Sequence, residues 1–101
     1  MKEGKMERRE EIEEILKRFK PLLREKFKVK EIGIFGSYVR GEESEESDVD
    51  ILVEFYEPIG WEFIDFKEFL EEILAKKVDL VTVGALKPQL RDKILKEVVY
   101  A

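Results

Sequence analysis

Residues 29–55 read VKEIGIFGSYVRGEESEESDVDILVEF, and the changes of pattern inside this stretch decide the architecture. Val29, Ile32, Ile34 and Phe35 suggest a strand that runs into Gly36-Ser37. A short polar stretch, Arg40 to Ser47, follows. From Val49 to Phe55 the apolar residues are nearly continuous, which marks a second, mostly buried strand.

Upstream, Met6 to about Phe27 has helical spacing. Ile12, Ile15, Leu16 and Phe19 fall at i, i+3, i+4 and i+7, and Leu22 and Leu23 continue the stripe. Glu13→Lys17 and Glu14→Arg18 add favourable i,i+4 pairs on the opposite side. Pro21 interrupts the pattern and predicts a kink or a break into two helices. Downstream, Glu57-Pro58-Ile59-Gly60 is a turn, and a helix spans about Trp61 to Leu74. Phe63, Phe66, Phe69, Leu70, Ile73 and Leu74 share one side of that helix, and Trp61 and Ile64 fall off it. A third strand is expected from about Lys77 to Val83. Pro88 can open a last helix in which Leu90, Ile94, Leu95 and Val98 keep helical spacing. The order is α-β-(α)-β-α-β-α, an α/β (α+β) domain with a small mixed sheet covered by helices on at least one face.

A chain of 101 residues leaves room for a single domain, residues 1–101. With 44% apolar and 43% charged residues it reads as a globular domain with a densely charged surface. The absence of cysteine and histidine excludes disulfides, thiolate or histidine-ligated metal sites and histidine acid–base work. Any catalysis must therefore run on Asp, Glu, Lys, Arg, Ser, Thr or Tyr, and a bound hard metal is expected to assist. The net charge of −5 argues against broad, direct binding to nucleic acid. No apolar run is long enough to span a bilayer and none resembles a signal peptide, so no membrane association and a cytoplasmic location are expected.

Three groups of residues could carry chemistry. Asp48 and Asp50 flank Val49, and side chains at i and i+2 leave a strand on one face. Two carboxylates so close repel each other unless a cation such as Mg²⁺ lies between them; the plainer alternative is a pair of exposed acids at a strand end. Gly36 would let a phosphate approach the backbone, and Ser37 at the start of a short helix would offer a hydroxyl and N–H groups. Here the alternative is an ordinary strand-to-helix turn with Ser37 as its N-cap. Asp79 lies among apolar residues of the third strand, where an acid either keeps an edge soluble or joins a site. If that strand lies beside the second, Asp48, Asp50 and Asp79 together can hold two metal ions roughly 3.5–4 Å apart.

Gly36-Ser37, ten intervening residues, Asp48-Val49-Asp50 and the distant Asp79 together resemble the signature of the DNA polymerase β nucleotidyltransferase superfamily. The run Gly36-Ser37-Tyr38-Val39-Arg40-Gly41 … Ser47-Asp48-Val49-Asp50-Ile51-Leu52-Val53 is most similar to its minimal nucleotidyltransferase (MNT) group. Val78-Asp79-Leu80-Val81-Thr82 … Leu86-Lys87-Pro88 and Leu90-Arg91 … Ile94 resemble that group as well, so the likeness spans about Ile32 to Tyr100. Val39 stands where an alanine is commoner, a change that touches no chemical role. The resemblance implies a polymerase β-like core in which Asp48 and Asp50 ligate the metals. Asp79 would complete the site and help activate the incoming hydroxyl, and Gly36 and Ser37 would hold the β/γ-phosphates. Arg40 would neutralise phosphate charge or pair with Glu42, Glu43 or another acid, and Ser47 would orient Asp48 or shape the turn.

The implied reaction moves AMP from ATP to an acceptor oxygen, with Mg²⁺ and release of pyrophosphate. Stand-alone MNT proteins resemble the antitoxin of a toxin–antitoxin pair whose partner is a HEPN-type toxin, and the acceptor implied is a tyrosine of that toxin. Trp61 and Ile64 are candidates for the contact, unless they pack on the Pro58 turn. The competing expectations are a small-molecule acceptor bound at a dimer interface and a non-catalytic antitoxin that neutralises its partner by binding.

Overall fold

Helix and strand alternate through residues 8–101, the residues that the computed structural model describes. The elements are α1 (Arg8–Phe27), β1 (Val29–Phe35), α2 (Ser37–Arg40), β2 (Val49–Phe55), α3 (Glu62–Leu74), β3 (Val78–Thr82), a 3₁₀ turn (Val83–Ala85), α4 (Pro88–Glu97) and β4 (Val99–Tyr100). The expected order is present with one strand added, β4. The expected start of the first helix at Met6 lies outside the described residues.

The strands form one mixed sheet in the order β3-β2-β1-β4. β1 and β2 are antiparallel, with Ile34 opposite Ile51 and Phe35 opposite Asp50. β2 and β3 are parallel and α3 makes the crossover between them. β4 pairs antiparallel with β1, Val99 lying opposite Ile34. Antiparallel pairing returns the start of β2 to the end of β1, and parallel pairing brings the start of β3 to that same end. Gly36, Asp50 and Asp79 are thereby gathered at one end of the sheet.

Alternation along β2 sorts its side chains between two faces. Val49, Ile51 and Val53 join Ile32, Ile34, Leu16, Leu23, Phe66 and Leu70 in the core that α1 and α3 close. Phe66 is its aromatic centre, 5.2 Å from the Phe27 ring and 5.5 Å from the Phe55 ring. The opposite face receives Asp50 and Leu52.

Two sequence expectations need correction. α1 is not divided at Pro21 but runs unbroken from Arg8 to Phe27. Pro21 and Lys17 are both exposed, on the side of the helix where water can serve a carbonyl that loses its donor, while Leu16, Leu23 and Phe27 fasten the helix on both sides of Pro21. The last helix ends at Glu97, and Val98 takes extended angles (φ −61°, ψ 138°). The β-branched pair Val98-Val99 favours extended backbone, and Ala101 N–H donates to the Ile32 carbonyl at 2.9 Å. Val98 packs toward Gly33, where a Cβ would come within 2.8 Å of its Cγ2.

Candidate active site

Gly36 joins β1 to α2 with φ 78° and ψ −149°, a conformation that L side chains avoid. A Cβ there would also overlap the Asp50 carboxylate oxygen Oδ2. Glycine is thus required both by the backbone and by the closeness of Asp50. The Gly36 carbonyl accepts from Val39 N–H at 3.0 Å and Arg40 N–H at 3.1 Å, which winds the single turn of α2. Gly41 ends it in the left-handed region at φ 74°. No side chain caps α2, and Gly36 rather than Ser37 is the N-cap residue, so the simple capping alternative for Ser37 does not apply.

Asp50 lies at the start of β2, partly buried, and Asp79 is its register partner in β3. Asp48 precedes β2 and is exposed, as is Asp79. Burial raises the Asp50 carboxyl; the charge of Asp79, a hydrogen bond to Asp79 and the charge of Asp48 push it further, to about 6, against the pull of Arg40. Asp50 is the most enclosed of the three. Among the described residues no three carboxylates are drawn tightly around one point. The structure makes Asp50 and Asp79 register partners, and the charge of Asp48 also reaches Asp50.

Arg40 pairs with two acids. Its Nε donates to Glu42 Oε1 and its Nη1 to Glu97 Oε1, each at 2.9 Å. Glu97 also accepts the Gly36 N–H on its other oxygen, Oε2, at 2.8 Å. Burial works to raise the Glu97 carboxyl, but the Gly36 N–H and the Arg40 and Lys93 charges outweigh it and hold it below the ordinary range. Sequence reading passed over Glu97, which looks like one more acid at the end of a charged helix. Ser47 shapes its turn: its Oγ accepts from Ser44 N–H at 2.9 Å.

Residues 8–101 match the nucleotidyltransferase domain family. The chain belongs to that family. Protein adenylyltransferase MntA of Thermococcus cleftensis is 55% identical over 92 residues, which is 90% of this chain and 93% of the relative. The solved structure of a minimal nucleotidyltransferase is 32% identical, with a TM-score of 0.73 over 95% of this chain and 97% of that one. A chain of a toxin–antitoxin crystal structure with AMP-PNP is 26% identical, with a TM-score of 0.68 over 83% of this chain and 69% of that one. This nucleotidyltransferase is an enzyme of the minimal, MntA-like kind. Its mixed sheet with helices is the fold of the minimal nucleotidyltransferases.

Proposed function

We propose that this nucleotidyltransferase uses Mg²⁺ to transfer AMP from ATP to a tyrosine of a HEPN-type toxin, and so serves as the antitoxin of a toxin–antitoxin pair. The observation that carries the reading is the register pairing of Asp50 with Asp79 directly beside the left-handed Gly36 turn. An adenylyltransferase name on a relative of 55% identity and a toxin–antitoxin neighbour crystallised with AMP-PNP support the reaction and the kind of partner.

The residues suit a hard divalent cation. Burial first, and then the neighbouring acids Asp79 and Asp48, push the Asp50 carboxyl up to about 6, and a cation would relieve the repulsion among them. In this reading Asp48, Asp50 and Asp79 hold two Mg²⁺ ions. Bound there, the ions would offset the charge on the triphosphate and on the departing pyrophosphate. The chain's own contribution is alignment. Gly36 and Ser37 hold the β/γ-phosphates, Arg40 offers charge to them, and the tyrosine oxygen attacks the α-phosphorus. Asp79, exposed and next to Asp50, accepts the hydroxyl proton. One P–O bond forms to the tyrosine as the α–β phosphoanhydride bond breaks, and pyrophosphate leaves in line.

Trp61 (88% exposed) and Ile64 (55% exposed) supply apolar surface for the toxin rather than packing on the Pro58 turn. Among the described residues no helix is long and apolar enough to cross a membrane, and a single domain working in the cytoplasm fits this reading. Incubation with labelled ATP, Mg²⁺ and a HEPN-type toxin from the same genome should label the toxin, and Asp50→Asn should abolish the label. A stable complex without label would instead indicate an antitoxin that acts by binding alone.

A further inference from the structure

The carboxylate of Glu97 bridges the two ends of the Gly36–Arg40 turn, across 61 residues of sequence from Gly36. Its place follows from the sheet. β4 pairs with β1 at Ile34, and the Ile32 carbonyl accepts from Ala101. Groups that point toward β4 recur every second residue, so the next in line is the Gly36 N–H. β4 begins only at Val99, and no strand carbonyl lies opposite Gly36. Glu97 Oε2 takes that place, which ties the first residue of the nucleotide turn to the α4–β4 junction.

The second oxygen acts on Arg40. A guanidinium carries five N–H donors in a rigid plane. Glu42 engages Nε and Glu97 engages one Nη1 donor, which leaves the Nη2 donors and the other Nη1 donor outside these two bonds. The Glu97 side chain is only 14% exposed against 42% for Arg40, so the acid is the anchored partner. Arg40 in this pose exerts its charge on Asp50, inside the carboxylate group.

We propose that Glu97 is a positioning residue of the triphosphate pocket: it holds Gly36 and Arg40 together and sets the edge of the guanidinium offered to the nucleotide. This rests on the nucleotidyl-transfer reading of the site. The opposite role, an internal anion that the triphosphate must displace, carries the opposite sign. Gln cannot replace the carboxylate, because an amide has one acceptor oxygen for two donors.

The test is calorimetric titration with MgATP of the wild type, Glu97→Gln, Glu97→Asp, Arg40→Ala and the Arg40→Ala/Glu97→Gln double variant, with thermal melts of each. Glu97→Gln should weaken binding about tenfold, the loss expected for one charge-assisted hydrogen bond. Arg40→Ala should weaken it at least as much, and the double variant should bind no worse than Arg40→Ala. Glu97→Asp, which keeps the charge but falls one methylene short, should lie between wild type and Glu97→Gln and serves if the amide fails to fold. Binding by the Glu97 variants equal to or tighter than wild type, with Arg40→Ala impaired, overturns the positioning role alone. So does an equal loss from Glu97→Gln with and without Arg40. No MgATP binding by the wild type overturns the nucleotide reading of the site, and this role with it.

Discussion

Asp50 and Asp79 face each other across the parallel β2–β3 pairing, and their side chains leave the sheet on the same face. Two acids held in that way by backbone pairing have little freedom to separate. A proton held on Asp50 or a bound cation relieves their repulsion, which otherwise weighs against the fold.

The proton held on Asp50 has a thermodynamic signature. The Asp50 carboxyl sits at about 6 in the fold, against 3.8 ordinarily. A raised carboxyl contributes stability that is complete below about pH 3.8 and lost as pH rises through about 6. In EDTA, Asp50→Asn should therefore melt higher than wild type at pH 7.5, and the gap should close as pH falls toward 4. Differential scanning calorimetry across that range checks it; a gap independent of pH would contradict the crowding described here.

Cation binding should show the same linkage. Because the cation must displace the Asp50 proton, Mg²⁺ affinity should fall below about pH 6 and binding there should release protons. Titration calorimetry in two buffers of different ionisation enthalpy measures the release. Asp50→Asn and Asp79→Asn should each weaken binding at least about tenfold, the cost of one lost charge-assisted ligand, while both variants keep their melting transitions.

Gly36 should tolerate no side chain. Gly36→Ala meets both the left-handed backbone and the Asp50 carboxylate, and should cost about 1–3 kcal/mol of stability as well as nucleotide binding. Gly84→Ala is the control, since a Cβ there meets nothing within 4 Å; its stability should change by less than about 0.5 kcal/mol. Chemical denaturation and MgATP titration of the two variants side by side test the contrast.

Trp61 should separate docking from chemistry. It follows the far end of β2, and Asp50 to Phe55 alone spans roughly 16 Å of strand. Trp61→Ala should leave the melting point and MgATP affinity of the isolated protein unchanged, while weakening capture of a HEPN-type toxin in a surface-binding assay. Undiminished capture would rule this surface out as the contact.

The sheet was legible because its strands announce themselves. Val49 to Phe55 is apolar almost throughout, and Asp79 interrupts an apolar run, a departure that only a site or an edge explains. Its meeting with Asp50 followed once β3 lay beside β2. β4 was not legible: two residues are too few for a period, and Val98 continues the helical spacing of α4 until the β1 edge draws it straight. Glu97 was hidden for the same reason, since its partners are chosen by that non-local pairing. Pro21 misled in the opposite direction, because a proline on the wet side of a well-anchored helix need not break it.

The end of the sheet that gathers the three proposed catalytic carboxylates also concentrates charge of one sign. Asp48, Asp50 and Asp79 lie there with Glu42 and Glu97, against the Arg40 guanidinium that both glutamates already engage and the Lys93 charge that acts on Glu97. In kinetic terms this is a selective barrier to encounter. Free ATP, highly anionic, should approach slowly at low ionic strength and faster as salt screens the field, whereas ATP already carrying Mg²⁺, still anionic but less so, should depend on salt less steeply. Stopped-flow association rates would read the difference directly. On the proposed reading, the electrostatics of the fold would bias the order in which metal and nucleotide arrive before any bond is made.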